Sequence, residues 1–217
     1  MGLGQRTNGG RATDQRILEH ARQVFNERGV AAVRVRDIAR DLDLSPGNVS
    51  YHFPTKERLV AALMEEAHGE NEDLVAAPVG GFGFDTLFHI LQAIMRRDLE
   101  HRWMMRDSVG LLVALPTLRP LHERMQRARE ARIDAIVARL IDAGLLDRRR
   151  TQRALSELRL QVVTQVFFWL PAAIVTAPDR DPADRLDTHC RAALALFRAY
   201  CTMERRARPR SRTTAGP

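Results

Sequence analysis

The chain has 217 residues, 45% of them hydrophobic and 28% charged, with a formal net charge of +7. That is enough apolar material for one or two folded domains with real cores, whereas 6% aromatic content without alternating apolar runs speaks against an all-β fold. The positive charge suggests an anionic partner but does not locate it. Residues 1–70 carry ten Arg or Lys against ten Asp or Glu, and part of the excess sits at Arg205, Arg206, Arg208, Arg210 and Arg212.

The opening MGLGQRTNGGRAT is polar and has no apolar signal core, so export is not expected. Residues 1–12 and 207–217, rich in Gly, Arg, Pro and Thr, are expected to be disordered tails. Thr13 is the expected cap of a first helix that carries Ile17, Leu18, Ala21, Val24 and Phe25 on one face and ends at Gly29. Val35, Ile38, Ala39 and Leu42 then recur at helical spacing. After an Asp43-Leu44 turn, Ser45 caps another helix with Pro46 at its first position, where the missing N–H costs nothing. Val49, ten residues after Ala39, packs the second of these helices on the first. Two short helices so joined make a helix-turn-helix, the unit that lays its second helix in the DNA major groove.

Thr55 caps a fourth helix with Leu59, Val60, Leu63 and Met64 on its buried side, and Pro78-Val79-Gly80-Gly81 breaks it. The expected domains are therefore residues 13–76 and 77–206. The second holds helical segments at about 84–101, 103–115, 117–143, 151–170 and 182–206, for an all-α fold of about nine helices. The longest apolar stretch, Val162–Val175, is interrupted by Thr164, Gln165 and Pro171 and is shorter than the roughly 20 residues of a membrane span. Cys190 and Cys201 have no metal-type spacing and read as reduced thiols of a cytoplasmic protein.

The segment 33–59, VRVRDIARDLDLSPGNVSYHFPTKERL, resembles the tetracycline-repressor (TetR/AcrR-type) family of bacterial transcriptional regulators. The residues that carry the resemblance are Ile17-Leu18, Ala21, Phe25, Gly29, Arg36-Asp37-Ile38-Ala39, Leu44-Ser45-Pro46-Gly47-Asn48-Val49 and Tyr51-His52-Phe53, with Lys56-Glu57 and Leu59. The match covers roughly residues 12–65; beyond it only length and helical character agree. Two positions depart from the family: Asp43 stands at a turn usually made by Gly, and Arg34-Val35 opens the second helix in place of the common hydroxyl residues.

The resemblance implies an N-terminal helix-turn-helix domain, a C-terminal bundle for ligand binding and dimerisation, and operator DNA as partner. Gly47, Asn48 and Ser50 would face the base edges from the front of the recognition helix, with the Asn48 amide suited to adenine. Pro46 offers a small surface for close approach, and Arg36 a contact to guanine or phosphate. Tyr51, His52 and Lys56 match the family's phosphate clamp, and Arg34 replaces the missing hydroxyl contact or forms a solvated salt bridge. Ser45 is a helix cap before it is a base contact.

A small apolar or amphipathic effector would bind in the C-terminal bundle, where the candidate lining is Phe84, Phe88, Gln92, Trp103, Met104, Ser108, Leu112, Met125, Gln161, Thr164, Gln165 and Phe168. The homodimer surface is expected on the last two long helices, at Leu155, Leu158, Val162, Val166, Leu186, Ala193, Leu194 and Phe197. Plain core is the competing reading for both sets, and a protein partner or no ligand is the alternative for the C-terminal half. Seven scattered histidines, none spaced with a carboxylate for metal, and no glycine-rich phosphate loop leave an enzyme, a metal site or a cofactor without support.

Overall fold

The computed structural model describes residues 8–76, 81–106 and 108–202. Among them are twelve α-helices, three short 3-10 turns and no strand; the one β-type bridge, Leu146 with Cys201, is isolated. The extra helices arise where expected segments divide. The 103–115 segment is two helices, and the region around 151–170 is three, Arg148–Arg153, Leu155–Phe167 and Trp169–Thr176. The last of these breaks has a covalent cause. Pro171 cannot donate to the carbonyl of Phe167 and its ring crowds that group, so the chain turns by 55° at Phe168.

The first helix, α1 (Asn8–Arg28), starts earlier than expected. Thr13 does not cap it. Its Oγ1 donates to the carbonyl of Gly9 at 3.1 Å from inside the helix, the back-bonding that lets a threonine sit mid-helix without competing for the backbone. Residues 8–12 are therefore helical, while the expected tails at 1–7 and 207–217 and the break at 77–80 lie outside the described residues. Gly29 ends α1 at φ 78°, a backbone state that glycine adopts without a Cβ penalty.

Helices α2 (Val35–Asp41) and α3 (Pro46–His52) follow, then α4 (Lys56–Ala76). Ile17, Ala21 and Phe25 of α1, Ile38 and Ala39 of α2, Val49 of α3 and Leu59, Val60 and Leu63 of α4 are each at most 1% exposed. They form the core on which the helix-turn-helix sits. Helix α5 (Phe84–Glu100) packs on α4; α6 (Arg102–Arg106) packs on α1; α7 (Ser108–Ala114) leads through a 3-10 turn into α8 (Arg119–Asp142). Gly144 closes the end of α8 at φ 74°. After α9 (Arg148–Arg153) come α10 (Leu155–Phe167) and α11 (Trp169–Thr176), and α12 (Leu186–Ala195) lies against both α5 and α10.

No single helix among the described residues is long and apolar enough to cross a membrane. The bent α10–α11 pair reaches that composition, but Leu158, Trp169, Leu170 and Ala173 are buried in this fold.

Candidate nucleic-acid interface

The turn between α2 and α3 is built by Asp43, which adopts φ 54° and is the only non-glycine residue with positive φ among those described. Aspartate tolerates this region better than most residues because its short side chain can bond locally. Ser45 then caps α3: its Oγ accepts the N–H of Asn48 at 3.1 Å, and Pro46 occupies the first turn. With its hydroxyl used in this way, Ser45 is part of the scaffold. Pro46, Gly47, Asn48, Ser50 and Tyr51 are all exposed along one side of α3, while Val49 is fully buried on the other. Tyr51, at 76% exposure, puts a large ring into solvent beside them.

Arg34 and Arg36 are exposed at the start of α2, where the Arg34 N–H donates to the Asp37 carboxylate at 3.1 Å. Lys56 opens α4. The Oγ1 of Thr55 accepts the N–H of Arg58 at 3.2 Å and caps the first turn beside the lysine. Burial lowers the Lys56 pKa from its ordinary value, with Glu57 opposing the shift.

His52 departs from expectation. Its ring is buried and its Nδ1 lies 2.6 Å from Oδ1 of Asp14 on α1. A side chain enclosed on this carboxylate holds α3 against α1 and does not present itself to a phosphate. The resemblance places His52 with exposed Tyr51 in the phosphate clamp, whereas its ring lies on the buried side with Val49 and Phe53.

The link to the C-terminal helices runs through Asn26, near the end of α1. Its Nδ2 donates to the carbonyl of Glu100 at 2.7 Å, and its Oδ1 accepts the backbone N–H of Trp103 at 3.0 Å. Beside it the rings of Phe25 and Trp103 pack with centroids 5.8 Å apart. On α6, Trp103 thus faces α1, while the next two residues, Met104 and Met105, line a cavity of about 100 Å³.

This cavity is walled by α4 (Ala67, His68), α5 (Leu87, Leu91, Ile94, Asp98), α8 (Met125, Arg129, Arg132, Ile133, Ile136), α10 (Val162, Val163, Val166, Phe167) and α12 (Ala193, with Phe197 beyond it). Asp98 is buried and accepts the indole N–H of Trp169 at 2.8 Å. Desolvation raises its pKa to about 7 despite that bond and despite Arg129. Burial likewise pushes Arg129 down to about 10, opposed by Asp98 and reinforced by Arg132. The Arg129 guanidinium stacks on Phe167 at 4.4 Å and bonds Gln126.

Of the expected pocket residues, Met104 and Met125 line this cavity, and Ser108 and Leu112 line a smaller adjoining void. Phe84, Phe88, Gln92, Trp103, Gln161, Thr164, Gln165 and Phe168 line neither. Trp103 is core against α1, Gln92 donates to Asp187 at 2.6 Å, and Gln161 and Thr164 on α10 and Phe168 at the break after it face outward. The charged residues of the cavity were missed, although the pattern marked them. Asp98 interrupts the apolar face Leu87, Leu91, Ile94, and Arg129 and Arg132 interrupt Met125, Ile133, Ile136 at helical spacing.

The expected dimer residues divide in the same way. Leu158, Leu186, Ala193 and Phe197 are buried within this chain, whereas Leu155, Val162, Val166 and Leu194 are half-buried.

Residues 17–63 match the sequence model of the bacterial regulatory proteins of the tetR family, and residues 61–208 that of a bacterial transcriptional repressor. The chain belongs to the TetR family. It is similar to the transcriptional regulator TtgR of Pseudomonas putida, at 35% identity over 65 residues, 30% of this chain and 31% of that protein. It is also similar to the HTH-type regulator YvkB of Bacillus subtilis, at 30% identity over 92 residues, 42% of this chain and 48% of YvkB. The match thus spans less than half the length of these curated relatives. Among solved structures, a TetR-family regulator from Marinobacter aquaeolei superposes with a TM-score of 0.76 at 25% identity, covering 88% of this chain and 91% of the other. A second, from Pectobacterium atrosepticum, gives 0.65 at 25% identity over 92% and 100%. The TetR relatives are DNA-binding regulators of transcription and not enzymes.

Proposed function

We propose that the protein is a homodimeric repressor that leaves its operator when a small apolar or amphipathic molecule fills the C-terminal cavity. The observation that carries the reading is the position of the cavity wall. The same cavity touches α4, which continues out of the helix-turn-helix domain, and α6, whose Trp103 is tied to Asn26 of α1. A ligand that fits the cavity better in one arrangement of α4 and α6 than in another has the differential affinity that a change of DNA-head spacing requires. A mostly apolar cavity between helices favours a small molecule over a protein partner as the regulator.

One helix-turn-helix buries little DNA, and two half-sites about 34–36 Å apart call for a dimer. The solvent side of α10 supplies an apolar strip for it: Leu160 is 69% exposed and Phe168 42%, with Thr164 between them. Val162 and Val166, on the opposite side of α10, line the cavity instead, as do Ala193 and Phe197. Pro46, Gly47, Asn48, Ser50 and Tyr51 on α3, with Arg34, Arg36 and Lys56, form the surface that meets the duplex.

Nuclease footprinting on the DNA adjoining the protein's own gene tests this reading. Two protected half-sites one helical turn apart support it. Protection of a single half-site, or of none, removes the dimeric repressor.

A further inference from the structure

Helix α9 is short and anchored on its inner side. Thr151 is fully buried, its Oγ1 donating to the carbonyl of Asp147 at 2.7 Å, and Leu146 just ahead of the helix is buried too. The Asp147 carboxylate accepts the N–H of Arg150 at 2.7 Å and so serves as the cap. With Thr151 turned inward, the arginines of RRRTQR are all exposed. Arg148 pairs with Asp142 at 2.9 Å. The side chains of Arg149, Arg150 and Arg153 have no ion pair or hydrogen bond among the described residues, and they are neighbours at three- and four-residue spacing, where like charges repel.

A second basic stretch leaves the fold at the same place. The N–H of Asp147 donates to the carbonyl of Tyr200 at 2.8 Å, the Thr202 N–H to that of Leu145 at 3.1 Å, and the Thr202 hydroxyl to that of Gly144 at 2.8 Å. The chain after Thr202 therefore starts beside the first residue of α9, and it carries five arginines between 205 and 212 against Glu204. Neither stretch has an aromatic or large apolar residue: one reads RRRTQR and the other ERRARPRSR. A bilayer surface is gripped by apolar as well as basic side chains, and single strands by aromatic stacking. Guanidinium groups without either suit the phosphate rows of a duplex, which carries one charge for about every 1.7 Å.

The recognition helix lies elsewhere. A Cβ at Gly83, at the start of α5, would stand 3.9 Å from Cδ1 of Leu145, whereas Glu100, at the other end of α5, is bonded to Asn26 of α1. The 17 residues of α5 put about 25 Å between these two points. Helix α3 is fastened further along α1, at Asp14. We propose that α9 and the arginine-rich stretch after Thr202 form a second, sequence-independent surface for duplex DNA. It holds the phosphate backbone of one DNA segment while the helix-turn-helix binds another. The cavity plays no part in this, so it stands apart from the effector reading.

The test is a capture experiment with the full chain. A random-sequence duplex of about 30 base pairs is immobilised and loaded with protein, and a fluorescent copy of the same duplex is added. Wild type is expected to retain the second duplex, less so as salt rises. Combining Arg149→Gln, Arg150→Gln and Arg153→Gln is expected to lower retention per loaded protein about tenfold or more, and to flatten its salt slope by roughly two to three units, about one per lost phosphate contact. Retention that is absent from wild type, or unchanged in the triple variant, overturns the proposal. So does tighter binding of the full chain to polyglutamate, or to phosphatidylcholine vesicles carrying a fifth of phosphatidylserine, than to the duplex. Should the triple variant fold poorly, hydrogen exchange of the unsubstituted chain decides. Added duplex is expected to slow exchange at residues 148–153 as well as in α3; slowing in α3 alone overturns the proposal.

Discussion

The carboxamide of Asn26 holds the backbone of Trp103 at 3.0 Å and that of Glu100 at 2.7 Å, so one side chain of the DNA head closes the junction between α5 and α6. Both bonds are to backbone, which means that the junction is held whatever the neighbouring side chains are. The two residues after Trp103 face the cavity. A push on Met104 or Met105 is therefore felt directly at α1.

Asn26→Ala should cost about 1–3 kcal/mol of stability, since two backbone groups lose their partner. Its larger effect should be on coupling. Ligand titrations monitored by DNA release should show binding to the cavity with a reduced shift in operator affinity. An unchanged shift would mean that coupling runs through α4 alone.

At the DNA surface the residues should separate into two classes. Asn48→Ala should cost about 1–3 kcal/mol on the operator and relax one base position, because a lost bidentate amide removes readout. Lys56→Ala should weaken binding to every sequence and flatten the salt slope by roughly one unit, as expected for one phosphate contact. Competition binding over a salt series separates the two. Equal loss of discrimination in both variants would remove this division.

His52 should behave unlike either. Its ring is enclosed on Asp14 at 2.6 Å, so His52→Ala should lower thermal stability by about 1–3 kcal/mol and weaken binding to specific and random DNA alike. Loss of DNA affinity with an unchanged melting temperature would instead make His52 a direct contact.

Much of this was legible in the sequence because the helix-turn-helix is specified locally. The Ser45-Pro46 start, the Asp43 turn and the Ala39-to-Val49 spacing depend on neighbours within a few residues, and each is found where the pattern puts it. The C-terminal half is specified by packing between distant segments. Whether an apolar helix face meets core, cavity or solvent depends on which other helix lies across it. Trp103 and Gln92 found partners on α1 and α12 that no local pattern announces. The start of α1 failed for a different reason: a threonine can cap a helix or bond back within one, and the sequence around Thr13 allows both.

The end of α5 carries two groups whose pH effects oppose each other. Asp98, raised to about 7 by burial, binds a proton in the folded state that the unfolded chain has released. Its contribution is complete below the unfolded value near 4 and is lost as pH rises to about 7. His101, lowered to about 4 chiefly by burial and then by Arg22, is neutral in the fold while the unfolded chain takes up a proton. Its contribution is complete above about 6.5 and is lost as pH falls towards 4. Between these limits the two partly cancel. Melting temperatures at several pH values should show Asp98→Asn gaining most above pH 7, and His101→Gln losing less than wild type on acidification. Parallel pH profiles for all three proteins would contradict these assignments.

The α10 surface gives a paired test of assembly. Leu160→Arg should yield a folded monomer by light scattering, since Leu160 is 69% exposed and its removal costs the chain little. Leu158→Ala, fully buried two residues earlier, should instead cost about 2–5 kcal/mol of stability through the cavity it leaves. A dimeric Leu160→Arg would move the interface elsewhere.

The central claim, a sequence-specific dimeric regulator, is tested most directly by fluorescence anisotropy on the DNA flanking the protein's own gene, against scrambled DNA, across a salt series. The predicted result is tight binding to the native fragment, saturating at two (or four) protomers per site, with scrambled DNA weaker by about a thousandfold or more. Equal and steeply salt-dependent binding to both DNAs would contradict it, leaving only the electrostatic attraction of an arginine-rich chain.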